Sequence, residues 1–303
     1  MRVLAQGLRF PEGPIAMEDG SVLVVELERE SLSRVHPDGR VEVVAQIPGG
    51  PNGAAVGPDG KIYVCNNGGF DWLHEAGGIR PHGIPASYST GSIDVVDPDS
   101  GKVDRLYSGC NGNRLNGPND IVFDGTGGFW FTDLGKRRDR EMDRGFVYWA
   151  KADGSEIREV IGPIVTPNGI GLSPDGKTLY VAETDTARLW GFEISAPGEL
   201  RRAPWPSPNG GRLVVGVGGY RRFDSLAISA SGAICVAGVD SCSIVEIHPE
   251  GRVIREHWLP DIMVTNLAFG GPDRRTAFVT LSYSGQLLAL DWHEPGLELA
   301  HNA

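Results

Sequence analysis

No run of eighteen consecutive apolar residues occurs in the chain, so no transmembrane helix is expected. The opening MRVLAQGLRFPEGP lacks the apolar stretch of a secretory signal, and no Asn-x-Ser/Thr triplet is present. The four cysteines, Cys65, Cys110, Cys235 and Cys242, form no CxxC pair, and two of them lie inside strand-like runs. They read as free, buried thiols of a protein kept in a reducing cytoplasm. Basic side chains are the minority: 28 Lys and Arg against 39 Asp and Glu leave a net charge of −11. That balance excludes nucleic acid as a partner, because phosphate binding needs a basic surface, and no feature points to a membrane. A sustained 3.6-residue apolar period is also missing, so helices should be nearly absent. Short catalytic signatures fail as well. There is no GxSxG elbow and no HExxH, LVVGVGGY is not a dinucleotide loop, and DPDSGK from Asp97 puts Ser108 where a calcium loop needs glutamate. KRRDREMDR, residues 136 to 144, mixes signs and reads as a solvated loop face.

Glycine and proline, in contrast, are plentiful, at 43 and 21 residues, and they punctuate short strands rather than filling one tract. Aligned on themselves, these strands form six in-phase segments. They are PEGPIAMEDGSVLVVE from Pro11, PNGAAVGPDGKIYVCNN from Pro51, PNDIVFDGTGGFWFTDL from Pro118, PNGIGLSPDGKTLYVAE from Pro167, FDSLAISASGAICVAGV from Phe223 and TNLAFGGPDRRTAFVTL from Thr265. Each is a polar residue, a short apolar strand, a turn and a stronger second strand, with one or two strands after it. The spacing, about 40 to 67 residues, is that of propeller blades with loop insertions. The sixth copy ends one strand short, and MRVLAQGL precedes the first copy with no blade of its own. Joining the two would remove an exposed edge. The expectation is an all-β, six-bladed β-propeller, one domain over residues 1–303, its ring closed by the N-terminal strand joining the last blade.

The first strand of each blade lines a propeller's channel, so the six polar positions should converge: Glu12, Asn52, Asn119, Asn168, Asp224 and Asn266. Two carboxylates and four amides, with no Lys, Arg or His, make an oxygen-rich cup. Two like charges in a low-dielectric channel repel, and one divalent cation would relieve them. All-oxygen donors favour hard ions, Ca²⁺ foremost, with Mg²⁺, Mn²⁺ or Zn²⁺ as alternatives. Capped turns and ordered channel water are the competing explanation for any one of these positions.

These residues carry a resemblance. FPEGPIAM, TPNGIGLSPDG and RFDSLAIS are similar to the three metal-ligand motifs of the gluconolactonase family, which includes regucalcin (senescence marker protein). NGPND followed by GGFWFTD resembles that family's substrate-contact segment, and TNLAFGGPDRRTAFVT its final blade. The resemblance implies that Glu12, Asn168 and Asp224 hold the metal, that Asp224 also donates and accepts the proton, and that Asn119 meets substrate. One departure stands out: the sugar-lactone members carry an arginine two residues before that asparagine, where this chain has Gly117, with Arg114 near it in sequence.

The expected chemistry is metal-dependent opening of a sugar lactone or related cyclic ester, a small-molecule substrate, with Asp224 as general acid and base. Asn52, Asn266 and Asp120 would line the substrate's side of the cup, and Asp133 would stand behind it. Asp120 could equally serve as a strand-start residue satisfying backbone amides. The insertion from residue 66 to 91 brings Phe70, Trp72, His74, His82 and Tyr88 into a loop. It is either a lid, with Trp72 and His74 contacting substrate, or a loop packed on a neighbouring blade. An aryl-ester or phosphotriester hydrolase on the same fold, and a non-catalytic calcium- or ligand-binding propeller, are the other two readings. Nothing in the sequence marks an oligomer interface.

Overall fold

The computed structural model describes residues 1–301, and among them there is no helix. Six antiparallel sheets form the blades of a β-propeller. Their innermost strands are Pro11–Ala16, Pro51–Val56, Pro118–Phe123, Pro167–Leu172, Arg222–Ile228 and Val264–Gly270. Each begins at or one residue before its repeat, and each packs on the innermost strands of both neighbouring blades, the sixth returning to the first. The last sheet is completed by Arg2–Gln6, which pairs with Gln286–Asp291 as the short sixth repeat requires.

Both faces of a blade meet another blade, and this explains the long apolar runs. Second strands such as Val22–Glu26 and Ile234–Val239 are buried throughout, whereas the outermost Val41–Gln46 is largely solvated. The core is accordingly divided into six apolar clusters, one in each seam. Phe129, Phe131 and Tyr148 fill the seam between blades 2 and 3, for instance, and Leu23, Val25 and Ile62 that between blades 1 and 2. The closing seam between blades 6 and 1 is filled by Leu8, Val24, Phe278 and Leu287.

One local feature recurs six times. The pairing of every innermost strand with its neighbour slips by one residue at or beside the polar position: between Glu12 and Ile15, Pro51 and Ala54, Pro118 and Ile121, Pro167 and Ile170, Phe223 and Leu226, and Val264 and Asn266. A β-bulge bends its strand and re-aims a side chain that strict alternation would send into a seam. The glycines beside three polar residues admit the close approach this demands. A Cβ on Gly13 would stand 2.6 Å from the Asn52 carbonyl oxygen, one on Gly53 2.5 Å from that of Asn119, and one on Gly169 2.7 Å from that of Asp224.

The insertion in blade 2 forms a hairpin, Trp72–Glu75 with Gly78–Pro81, that leans away from its own blade. Trp72 packs on Phe10 of blade 1, with ring centroids 5.1 Å apart, and the Ile79 N–H donates to the Tyr283 carbonyl of blade 6 at 2.9 Å. The 136–144 loop departs from expectation at its first residue. Lys136 is buried, its Nζ donating to the Gly69 carbonyl at 2.8 Å and lying 4.4 and 4.9 Å from the ring centroids of Phe70 and Tyr88. Burial pushes this ammonium down to about 7. The aromatics of the insertion form the cage, and a sign pattern within one loop could not reveal a partner some seventy residues upstream. The rest of the run, from Arg137 to Arg144, is largely solvated.

Candidate functional site

The bulges gather the polar positions at the N-terminal ends of the innermost strands. Glu12, Asn52, Asn119, Asn168 and Asn266 are all buried, and Asp224 alone of the six is partly exposed. Contacts tie the ring together across blades. Asn266 Nδ2 donates to Glu12 Oε2 at 2.8 Å, and the Gly13 N–H reaches the same oxygen at 2.8 Å. Asp224 lies close enough to Glu12, Asp120 and Asn168 for each to influence its ionisation.

Three acids therefore share one low-dielectric space. Burial, opposed by hydrogen bonds from Asn266, Gly13 and Thr265, lifts Glu12 to about 7. Burial and the charge of Glu12 lift Asp120 to about 7, and burial followed by the Glu12 charge raises Asp224 well above the usual carboxylate range. The nearest guanidinium, that of Arg222, is directed to Asp240, donating to its Oδ2 at 2.6 Å. The site is short of positive charge.

It also holds unused acceptors. Among the described residues, Asn119 and Asn168 are the two whose buried side-chain amide oxygens meet no hydrogen-bond donor. Buried polar oxygens are rarely left so, and a cation is one group that satisfies them. Asn168 is held in this pose by its other end, with Nδ2 donating to Thr184 Oγ1 at 3.0 Å. Asn266 is used at both ends, since its Oδ1 accepts the Leu267 N–H at 2.7 Å. Thr184 and Thr265 orient ring residues, and no sequence signal picks them out from other threonines.

The remaining candidates spread outward. Asp120 occupies the place held by glycine in blades 1, 2 and 4. It accepts the Ile121 N–H at 3.0 Å, as a strand-start residue does, while its position in the channel keeps it beside Glu12. Asp133 accepts the N–H groups of Asn116, Gly117 and Gly135, at 2.7, 2.7 and 2.9 Å, and shapes the loop leading into Asn119. Trp72 rests on Phe10 and Phe70, and His74 Nε2 lies 3.3 Å from Glu28 Oε1. Arg114 sits exposed on the rim and donates to the Ser89 carbonyl at 3.2 Å. A Cβ on Gly117 would come within 2.7 Å of the Gly135 carbonyl oxygen, so this loop has no room for a side chain there.

Below the ring, a cavity of about 820 Å³ fills the lower channel, touching Asp120 and Asn266 above and Leu297, Glu298 and Leu299 at its far end. Glu12, Asn168 and Asp224 do not line it. Its wall mixes apolar side chains, among them Ile121, Ile170 and Leu267, with the charged Asp19, Arg274 and Glu298.

Comparison with known proteins agrees with this fold. The family described as SMP-30/Gluconolactonase/LRE-like region matches residues 10–283. A gluconolactonase of Zymomonas mobilis is 27% identical over 221 residues, covering 65% of this chain, which spans only 56% of that protein. The lactonase drp35 of Staphylococcus saprophyticus is 27% identical over 262 residues, covering 86% of this chain and 72% of its own. Among solved structures, a gluconolactonase of Xanthomonas campestris superposes with a TM-score of 0.73 at 22% identity, covering 95% of this chain and 88% of that one. A calcium-binding protein, regucalcin, of Agrobacterium tumefaciens superposes with a TM-score of 0.72 at 20% identity, covering 99% and 100%.

Proposed function

The chain belongs to the SMP-30/gluconolactonase/LRE-like family, and from that premise we propose that it is a divalent-cation-dependent lactonase acting as a single propeller domain. The observation that carries the reading is the pairing of three crowded, mutually repelling acids with two unpartnered amide oxygens at one end of the channel. Glu12, Asn168 and Asp224 would hold the cation, Ca²⁺ first among the hard ions. When bound, it would polarise the substrate carbonyl and stabilise the charge that develops on its oxygen.

The chain's own residues supply the rest. Asp224 is the partly exposed member of the ring, so its carboxylate can meet substrate while the others stay covered. In this reading it takes the proton of the attacking water and returns it to the ring oxygen as the lactone opens. Asn266 and Thr265 orient Glu12, and Thr184 turns the Asn168 carbonyl oxygen inward. Asn119, Asn52 and Asp120 border the space where substrate would sit, with Trp72 and His74 on the rim. A cytoplasmic enzyme is in keeping with its four free cysteines.

Proton release from a panel of lactones and aryl esters tests the proposal, using chelated protein before and after return of Ca²⁺, Mn²⁺, Zn²⁺ or Mg²⁺. Hydrolysis should require the cation and fall by about 10²- to 10⁴-fold in Asp224→Ala. Turnover that survives both chelation and the substitution would defeat it. Tight cation binding without turnover would favour a binding protein. The closed space at Gly117 favours testing aryl esters and phosphotriesters beside sugar lactones, since a cationic side chain cannot project from that position.

A further inference from the structure

Far from the polar ring, at the other end of the blades, a buried carboxylate is paired only with histidines. Glu246 lies in the third strand of blade 5, Ser243–Ile247, and its side chain is 2% exposed. His257, on the outermost strand Val253–Trp258, places Nε2 3.2 Å from Glu246 Oε2. His293, just past the blade 6 strand Gln286–Asp291, places Nε2 3.2 Å from Glu246 Oε1. One donor atom from each of the three residues lies within 4.8 Å of the others. No lysine or arginine pairs with Glu246 among the described residues.

We propose that Glu246, His257 and His293 form a second divalent-cation site, of zinc type, that fastens the segment following blade 6 onto blade 5. The distances suit it. Ligand bonds of about 2.0–2.1 Å in a tetrahedron put neighbouring ligand atoms roughly 3.3–3.4 Å apart, and each imidazole already lies 3.2 Å from one oxygen of the carboxylate, His257 from Oε2 and His293 from Oε1. Two imidazoles and a carboxylate are a donor set for Zn²⁺ and its borderline neighbours, in contrast to the all-oxygen ring in the channel. The His257 imidazole is held by packing, its ring 4.3 Å from that of Trp292, which in turn meets Phe269 at 5.6 Å, while His293 stands at the surface, 37% exposed. Glu294 is the nearest further carboxylate, its Oε1 3.9 Å from His293 Nε2 and steadied by Ser231 Oγ at 3.0 Å. It, or water, completes the coordination.

The site's place in the fold gives it a task. Beyond His293 the chain crosses beneath blades 5 and 6. The Ala230 N–H donates to the Pro295 carbonyl, the Gly296 N–H to that of Arg274, and the Leu297 N–H to that of Ile228, each at 2.8 Å. Leu297, Glu298 and Leu299 then close the far end of the lower cavity. A cation bridging Glu246 and His293 would pin the start of this strap.

The test uses the full chain, stripped with chelator and then saturated with Ca²⁺ so that the channel is occupied. Zn²⁺ alone is added, and the metal retained after gel filtration is measured for the wild type, Glu246→Gln, His257→Asn and His293→Asn. The wild type should retain about one more equivalent than each variant. Zn²⁺ should raise its melting temperature and slow hydrogen exchange in residues 292–299, with neither effect in the variants. Lactone hydrolysis should be unchanged in all three. Equal zinc in wild type and histidine variants, or none retained by the wild type, overturns the proposal. Co²⁺ loading of the wild type needs no variant: a strong visible spectrum of four-coordinate cobalt supports the site, and only the weak six-coordinate spectrum overturns it.

Discussion

At the scale of single residues, three acids are crowded where burial disfavours their charge. Folding raises Glu12 and Asp120 to about 7 and lifts Asp224 well above the usual carboxylate range, while in the unfolded chain all three ionise in that ordinary range. Between those limits the folded state retains protons that the unfolded state has lost, so stability must fall as pH rises from about 4 through 7. The metal-free protein should melt at a lower temperature at about pH 8 than at about pH 5, and Asp120→Asn should flatten that dependence. Adding a divalent cation should raise the melting temperature more at the higher pH. Thermal denaturation followed by circular dichroism decides it, and a pH-independent midpoint in the metal-free wild type would show that the acids are not crowded. Glu12 and Asp224 were legible in the sequence, because a polar residue interrupted the same apolar strand six times, whereas Asp120, one position further on, read equally well as a strand-start residue. Their partners were not: Thr184 and Thr265 act through hydrogen bonds whose direction depends on bulged backbone, and a threonine beside a strand is unremarkable in sequence.

Among the elements, the innermost strands bear the greatest constraint. Gly169 stands where a Cβ would meet the Asp224 carbonyl oxygen at 2.7 Å and the Leu226 nitrogen at 2.8 Å, so the strands of blades 4 and 5 could not keep their spacing. Gly169→Ala should cost about 1–3 kcal/mol of stability, as overpacking does, and weaken cation binding by displacing two proposed ligands together. Gly218→Ala, with open space around it, serves as the control. Denaturant unfolding and calorimetric cation titration provide the readouts; a Gly169 variant indistinguishable from that control would refute the close approach. The repeat foretold these strands nearly to the residue. It did not foretell the register slips, because a bulge is a relation between two strands and leaves only a permissive glycine in one of them. Lys136 was misjudged for a related reason: its cage arrives from the 66–91 insertion, and Glu246, His257 and His293 escaped notice because their spacings match no short ligand motif.

For the molecule as a whole, closure is non-covalent. Arg2–Gln6 completes the sixth sheet and leaves no unpaired edge on Gln286–Asp291 in that direction. Deleting residues 2–7 would bare that edge and uncover the seam lined by Leu8, Phe278 and Leu287. The truncated protein should melt earlier and self-associate with rising concentration, as size-exclusion chromatography would show; an unchanged midpoint with a single monomeric peak would mean that the strand is dispensable. The overall ring was legible because a missing strand at one end of the chain matched a spare strand at the other. The hairpin of the insertion bears on the same junction. It grips Phe10 of blade 1 and the Tyr283 carbonyl of blade 6, the two blades between which the hoop is fastened. The hairpin therefore ties blades 1 and 6 together with a ring contact and a main-chain hydrogen bond, a second fastening beside the N-terminal strand at the place where the circle of blades is completed.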